Sequence, residues 1–181
     1  MKYFAHSRLN GSTTEYQELA DHLKAVGLIA ERFVQKFGFD DVGQILGLLH
    51  DAGKYSSLFQ ERIRGANIKV DHATAGAQIA NEKFTSLGKM LSYTLAGHHG
   101  GMPDGLKEAY GDSSLNARLT KKTEDYSAFY NEITIPGIRA FKKLSVTKFP
   151  GFSIAFLTRM LYSALVDADY LDTEMYISKA K

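Results

Sequence analysis

Residues 19–37 read LADHLKAVGLIAERFVQKF, and the spacing of their apolar members decides the fold class. Leu19, Leu23, Val26, Ala30, Phe33 and Phe37 recur at alternating steps of four and three, which is one face of an α-helix. Thr14 and Gln17 have capping-box spacing ahead of that stripe, and Gly38 is a natural stop. Outward from there the same period continues. A second helix is expected from about Asp41 to Asp51 through Val42, Ile45, Leu46 and Leu49, closed by Gly53. Ser56 to Arg64 reads as a short amphipathic helix. Asp71 caps a third long helix through Ile79 and Phe84, in which Ala73, Ala75, Gly76 and Ala77 are small enough for close packing. Met90 to Gly97 is apolar and runs into Gly100-Gly101. About Phe152 to Asp172 is apolar on nearly every face and is expected to be a central buried helix. Ile133-Thr134-Ile135 is the best strand candidate and is too short to build a sheet. The expectation is an all-α, single-domain helical bundle over 1–181. It carries one long polar Gly-rich loop or flap at about 100–125, containing Pro103, Gly105 and Gly111.

Composition narrows the function classes. At 181 residues, 44% hydrophobic and 23% charged, the chain has room for one domain with a real core. No apolar run approaches the roughly 18 residues of a membrane span. The opening MKYFAHS lacks the apolar core of a signal peptide, so a cytoplasmic location is expected, with no membrane partner. Cysteine is absent, which excludes disulfides, thiolate nucleophiles, zinc ribbons and iron–sulfur sites. Any metal must be held by His, Asp and Glu. A formal charge of +2 permits nucleic acid binding without demanding it. Gly47 through Gly53-Lys54 resembles a phosphate-binding loop only faintly: the spacing is wrong, and Tyr55 stands where Ser or Thr is needed.

The informative residues are polar ones at positions that should be apolar. His22 borders the stripe of the first helix, His50 follows Leu46 by four, and Asp51 comes next. Lys54 lies one turn on, and His98 and His99 sit where an apolar helix meets two glycines. His72 follows Asp71. Singly, a histidine on an apolar face is more often a satisfied core residue than a ligand, Asp71 is an N-cap, and Lys54 is a surface charge. His6, near the start, reads as structural or capping. Together, five imidazoles and several aspartates buried without a shared partner would each cost about 1–3 kcal/mol of desolvation. One polynuclear metal site would satisfy them all. Ligation by His and Asp without thiolate suits Mn, Fe, Co or Ni, and also Zn, with open positions as in a catalytic centre. In the last helix Asp167 and Asp169 point about 200° apart, so at most one faces such a site, and periodicity does not choose between them. Asp172 reads equally well as the polar end of that helix.

His50-Asp51 with Lys54, Asp71-His72-Ala-Thr-Ala-Gly-Ala, Gly97-His98-His99-Gly100-Gly101 and Leu165-Val-Asp-Ala-Asp169 follow one another in order. The combination resembles the HD phosphohydrolase superfamily. More narrowly, it is similar to the HD nuclease domain of the CRISPR-associated helicase-nuclease of type I systems, and Ala5-His6-Ser7 followed by His22 fits that family too. The resemblance implies a two-metal site. His22, His50, Asp51 and Asp169 would hold one ion, and His72, His98 and His99 the second, with Asp51 bridging both. Lys54 would contact the scissile phosphate or a bound water. Asp169 is preferred over Asp167 because the family carboxylate precedes an aromatic or basic residue and then an apolar one, as in Asp169-Tyr170-Leu171. Ala73 departs from the family, which often has Ser there, so a hydroxyl contact is not carried over.

The implied activity is metal-dependent cleavage of single-stranded DNA, endonucleolytic and also exonucleolytic. Its partners would be a helicase motor outside this chain and an RNA-guided surveillance complex. Positioning and charge neutralisation carry phosphoryl chemistry, so the absence of a protein nucleophile is no obstacle. Lys107, Arg118, Lys121 and Lys122, in the polar stretch after His99, are candidate contacts for the strand, although an ordinary solvated loop explains them as well. Two alternatives stand beside this one: an HD nucleotide phosphohydrolase acting on small nucleotides, and a metal-stabilised docking module without turnover.

Overall fold

The protein's first ordered element is a β-hairpin. In the computed structural model, which describes residues 2–85, 87–105, 114–139 and 149–178, β1 (Phe4–Asn10) pairs antiparallel with β2 (Thr13–Glu18). This corrects the expectation of no sheet and removes the capping box, because Thr14 and Gln17 are strand residues. The two-residue turn is Gly11-Ser12, between the paired Asn10 and Thr13, and glycine suits its first position, where Gly11 sits at φ 61°. The rest is helical, so the all-α bundle stands with a hairpin added.

The helices are α1 (Leu19–Val34), α2 (Asp40–Leu49), α3 (Ser57–Ile63), α4 (Ala73–Lys83), α5 (Gly88–Gly97), α6 (Leu115–Thr120), α7 (Phe129–Glu132) and α8 (Pro150–Ser178). Gln35–Phe37 and Ala52–Tyr55 form short 3-10 turns. Ile133-Thr134-Ile135 is not a strand, although Ile133 is buried. The expected loop at 100–125 contains α6, and Gly111 lies outside the described residues. No described helix is long and apolar enough to cross a membrane.

The core lies where α1 and α2 cross, with Leu23, Val26, Ile45, Leu46 and Leu49 fully buried. The glycines of the false phosphate loop serve this packing. A Cβ on Gly47 would stand 2.3 Å from Gly27 Cα, so α2 rests directly on the backbone of α1. A Cβ on Gly53 would be 2.5 Å from the His72 carbonyl oxygen, so the His50-Asp51 turn can press against the start of α4.

Two parts of the apolar reading need correction. Phe33, still within α1, and Phe37, where a 3-10 turn breaks the α1 period, are partly exposed. α8 is not a central buried helix. It packs through one stripe, Thr158, Leu161, Leu165, Ala168 and Asp172, while Phe152 and Phe156 face outward, stacked on each other. Apolar composition does not by itself bury every face of a helix; only neighbours do.

Candidate metal centre

The ends of four elements meet at Asp51. The side chain is fully buried at the turn after α2, and five imidazole Nε2 atoms surround it. Oδ2 faces His50 at 3.3 Å and His22 at 3.6 Å, while Oδ1 faces His98 at 3.5 Å, His72 at 3.6 Å and His99 at 3.8 Å. The two oxygens of one carboxylate thus divide the histidines into two sets. Asp169, from α8, joins the first set, with Oδ1 3.4 Å from His22 Nε2 and 3.6 Å from His50 Nε2. Asp167, two residues earlier and so on the far face of α8, is exposed.

Four of the five rings are oriented by what their other nitrogen does. His50 Nδ1 donates to the Gly47 carbonyl at 2.7 Å and His98 Nδ1 to the Leu95 carbonyl at 2.7 Å, both one helical turn back. His72 Nδ1 reaches the Val70 carbonyl at 3.3 Å. His22 Nδ1 donates to Asp172 Oδ2 at 2.7 Å, and Gln17 Nε2 donates to that same oxygen at 2.7 Å. Carbonyls and carboxylates only accept, so these contacts place a proton on Nδ1 and leave Nε2 aimed at Asp51. Asp172 is therefore part of the site and not a helix end.

This arrangement has a consequence that packing cannot satisfy. His22 Nε2 and His50 Nε2 lie 3.3 Å apart. With both Nδ1 atoms donating, two lone pairs would face each other there unless a proton or a cation stands between the rings. Neither oxygen of Asp51, nor His98 Nε2, has a hydrogen-bond partner among the described residues. Lys54 Nζ is 2.6 Å from Asp51 Oδ2 but out of hydrogen-bond alignment. Buried polar atoms left this way are uncommon in native folds. One carboxylate bridging two sets of imidazoles is a donor set that fits divalent cations. Four overlapping groups, Asp51-His72-His98-His99, His22-His50-Asp51, His50-His98-Asp169 and His6-His22-Asp169, each bring one ligand atom per residue within 4.8 Å of the others.

The electrostatics differ across the site. At His22 burial opposes charge, but the carboxylates of Asp169, Asp172 and Asp51 outweigh it and push the ring up to about 9. His50 is likewise pushed up to about 10 against its burial, by Asp51 and Asp169. Asp51 is held well below the usual carboxylate range despite its burial, by Lys54 and His50. His50 and His22 do the same for Asp169. On the other side burial dominates, taking His72 down to about 4 and lowering His98.

The remaining expected residues fall in different places. Lys54 is buried, donating to the Ala5 carbonyl at 3.2 Å, so its ammonium braces Asp51 and the hairpin and does not stand in the cleft. Arg118 donates to the Ala96 carbonyl at 2.8 Å, and Lys121 is paired with Asp71 at 2.9 Å. Both tie α6 to the core. Lys122 is exposed, and Lys107 lies outside the described residues. Asp71 does cap α4, accepting from the Thr74 backbone N–H at 3.2 Å and from its hydroxyl at 2.8 Å. The way in is beside His99, whose side chain is 48% exposed while those of His22, His50, Asp51 and His98 are fully covered.

In the sequence His6 reads as structural or capping, Asp172 stands open between a site carboxylate and a helix end, and neither Gln17 nor Gln60 is marked as a support for the site. The side-chain amide of Gln60 clamps β1 like a further strand, accepting from Phe4 N and donating to Phe4 O, each at 3.0 Å. The signals for His6 were the Ala5-His6-Ser7 motif and the histidine count in a chain without cysteine.

The family profile described as HD domain matches residues 19–128, more than half of the chain. The chain belongs to the HD-domain family. Membership of the HD-domain family carries metal-dependent phosphohydrolase chemistry, in keeping with the His/Asp cluster. The match begins after the hairpin and ends before α8, so His6, Asp169 and Asp172 are contributed by segments outside it. No curated protein matches the chain.

Proposed function

We propose that this HD domain is a nuclease that cleaves phosphodiester bonds in single-stranded DNA during CRISPR type I interference. It would act as one domain over 1–181, in the cytoplasm, with a helicase motor and an RNA-guided surveillance complex as partners. The observation that carries the metal-dependent part is the facing pair His22 Nε2 and His50 Nε2 beside the unsatisfied oxygens of Asp51. In this reading His22, His50, Asp51 and Asp169 hold one ion, and Asp51, His72, His98 and His99 a second, Mn, Fe, Co or Ni in preference to Zn or Mg. Divalent ions held there supply Lewis-acid polarisation of a phosphate ester and a source of activated water.

The chain's own residues do the rest. Asp51 would offer one carboxylate oxygen to each set of imidazoles, Oδ2 on the His22 and His50 side and Oδ1 on the His72, His98 and His99 side. Lys54 fixes the Asp51 carboxylate from behind and keeps its charge in place. The exposed edge at His99 admits a strand from the side, which suits a polymeric substrate. Lys122, and Lys107 from the neighbouring stretch, would attract the backbone without reading bases, so cleavage should weaken with added salt. The ordered motifs, above all His98-His99-Gly100-Gly101 and Asp169-Tyr170-Leu171, support the nuclease over other phosphohydrolases.

The test is metal analysis of anaerobically purified protein, followed by incubation with circular single-stranded DNA and Mn, Ni, Co, Fe, Mg or Zn. Linearised and then degraded circles with transition ions are expected. Intact circles together with release of nucleosides or phosphate from mononucleotides would replace this reading with a small-nucleotide phosphohydrolase. Metal-dependent melting with neither activity would leave a docking module.

A further inference from the structure

The hairpin delivers an imidazole to the centre through an irregularity in its own pairing. Phe4 pairs with Glu18 and His6 with Gln17, so β1 spends two residues where β2 spends one. Such a bulge reverses the alternation of side chains past it. The contacts show the reversal. Phe4 stacks near Tyr16, with ring centroids 4.9 Å apart, on the face that meets Arg64. His6, Arg8, Glu15 and Gln17 share the opposite face, which lies against the end of α8: His6 Nε2 is 3.2 Å from Thr173 Oγ1, Gln17 bonds Asp172, and Arg8 bonds the Tyr176 carbonyl. In regular pairing from Phe4, His6 would face away from the site.

We propose that His6 is a further ligand of the ion position formed by His22 and Asp169. This rests on the metal-dependent reading of the centre. One ring nitrogen of His6, one of His22 and a carboxylate oxygen of Asp169 lie within 4.8 Å of one another. The His6 and His22 rings meet edge to face at 4.8 Å between centroids. Thr173 Oγ1, between His6 Nε2 and Asp169 Oδ1 at 3.5 Å, ties the two candidate ligands together. The bulge is itself pinned: the Ala5 carbonyl within it accepts from Lys54, whose ammonium faces Asp51. The same segment that carries His6 is thus anchored to the residue bridging the centre, which a loosely placed surface histidine would not need. His6 makes the first ion position one imidazole richer and gives the hairpin, outside the family match, a direct part in metal binding.

The experiment uses the full chain, stripped with EDTA and titrated with Co2+ while visible absorption is recorded, alongside His6→Ala, His6→Gln and His72→Ala. Wild type should take up two equivalents. His6→Ala should weaken one of them tenfold or more and change its absorption band, leaving the other in place. His72→Ala should weaken the opposite equivalent. Melting of the metal-free proteins checks that His6→Ala is folded. If it is not, His6→Gln, which keeps a polar side chain against Thr173, takes its place with the same expectation. Two unchanged affinities and an unchanged spectrum in the His6 variants would overturn the assignment of His6 alone. A wild-type protein that binds no Co2+ would overturn the metal-dependent reading and this one with it.

Discussion

The two sides of Asp51 are built from similar donors and behave as opposites. On the His22 side two carboxylates, Asp51 and Asp169, face the rings, and Asp172 backs His22, so His22 and His50 are pushed up to about 9 and about 10 and hold protons when no ion is bound. On the His72 side Asp51 favours the charged ring but Lys54 opposes it, burial takes His72 down to about 4, and His99 is half open to solvent. The difference teaches that ligand identity alone does not set the character of a metal position. The carboxylates behind and beside the rings make one side carboxylate-rich and proton-coupled, and leave the other carboxylate-poor and more accessible. On the proposed reading the first would take a resident ion and the second would face the arriving substrate.

The strongest way to break the comparison is to remove the group both sides share. Asp51→Ala should eliminate hydrolysis and lower metal content on both sides while circular dichroism shows the helices intact. Retained cleavage would mean the centre has been misread. A selective test comes next. Asp172→Asn should weaken the His22-side ion by about 10–100-fold and spare the other, whereas His99→Ala should do the reverse, both read by metal titration.

Proton release sharpens the contrast further. At pH 7.5 an ion entering the His22 side must displace the protons of His22 and His50, so its affinity should rise with pH up to about 10. Affinity on the His72 side should be nearly flat above pH 6, because burial already keeps His72 neutral there, and lowers His98 too. Calorimetry in buffers of different ionisation enthalpy counts these protons. The same shifts act on metal-free stability. The raised pKa values of His22 and His50 give stability that is full below about pH 6.5 and lost as pH climbs through 9 and 10. His6 and His72, lowered to about 3 and about 4, give stability present above 6.5 and lost as pH falls. Melting temperature without metal should therefore peak near pH 6.5, and added metal should remove the alkaline decline. The smallest effect is expected from Lys54→Met, which should slow turnover while both ions stay bound.

Much of the site was legible because its residues violate the helical pattern. His22, His50, Asp51, His98 and His99 stand on or beside apolar faces, and the structure brings them to one point. The hairpin was not, because Thr14 and Gln17 satisfy a capping pattern as readily as a strand, and only the short Gly11-Ser12 turn separates the two. The outward-facing phenylalanines of α8 escaped for a related reason: periodicity says which residues could be buried, and only a neighbour buries them.

Sequence alone determined the helical class, the donor chemistry and the order of the motifs, because each depends on residue type and short spacing along one chain. Tertiary structure decided the rest. It chose Asp169 over Asp167, enlisted Asp172 to orient His22, turned Lys54 inward and aimed His6 through a bulge. Each of those choices depends on which side chains from distant segments arrive within a few ångströms, from about fifty residues away for Lys54 and Ala5 to more than a hundred for the others, and local spacing carries no record of that distance.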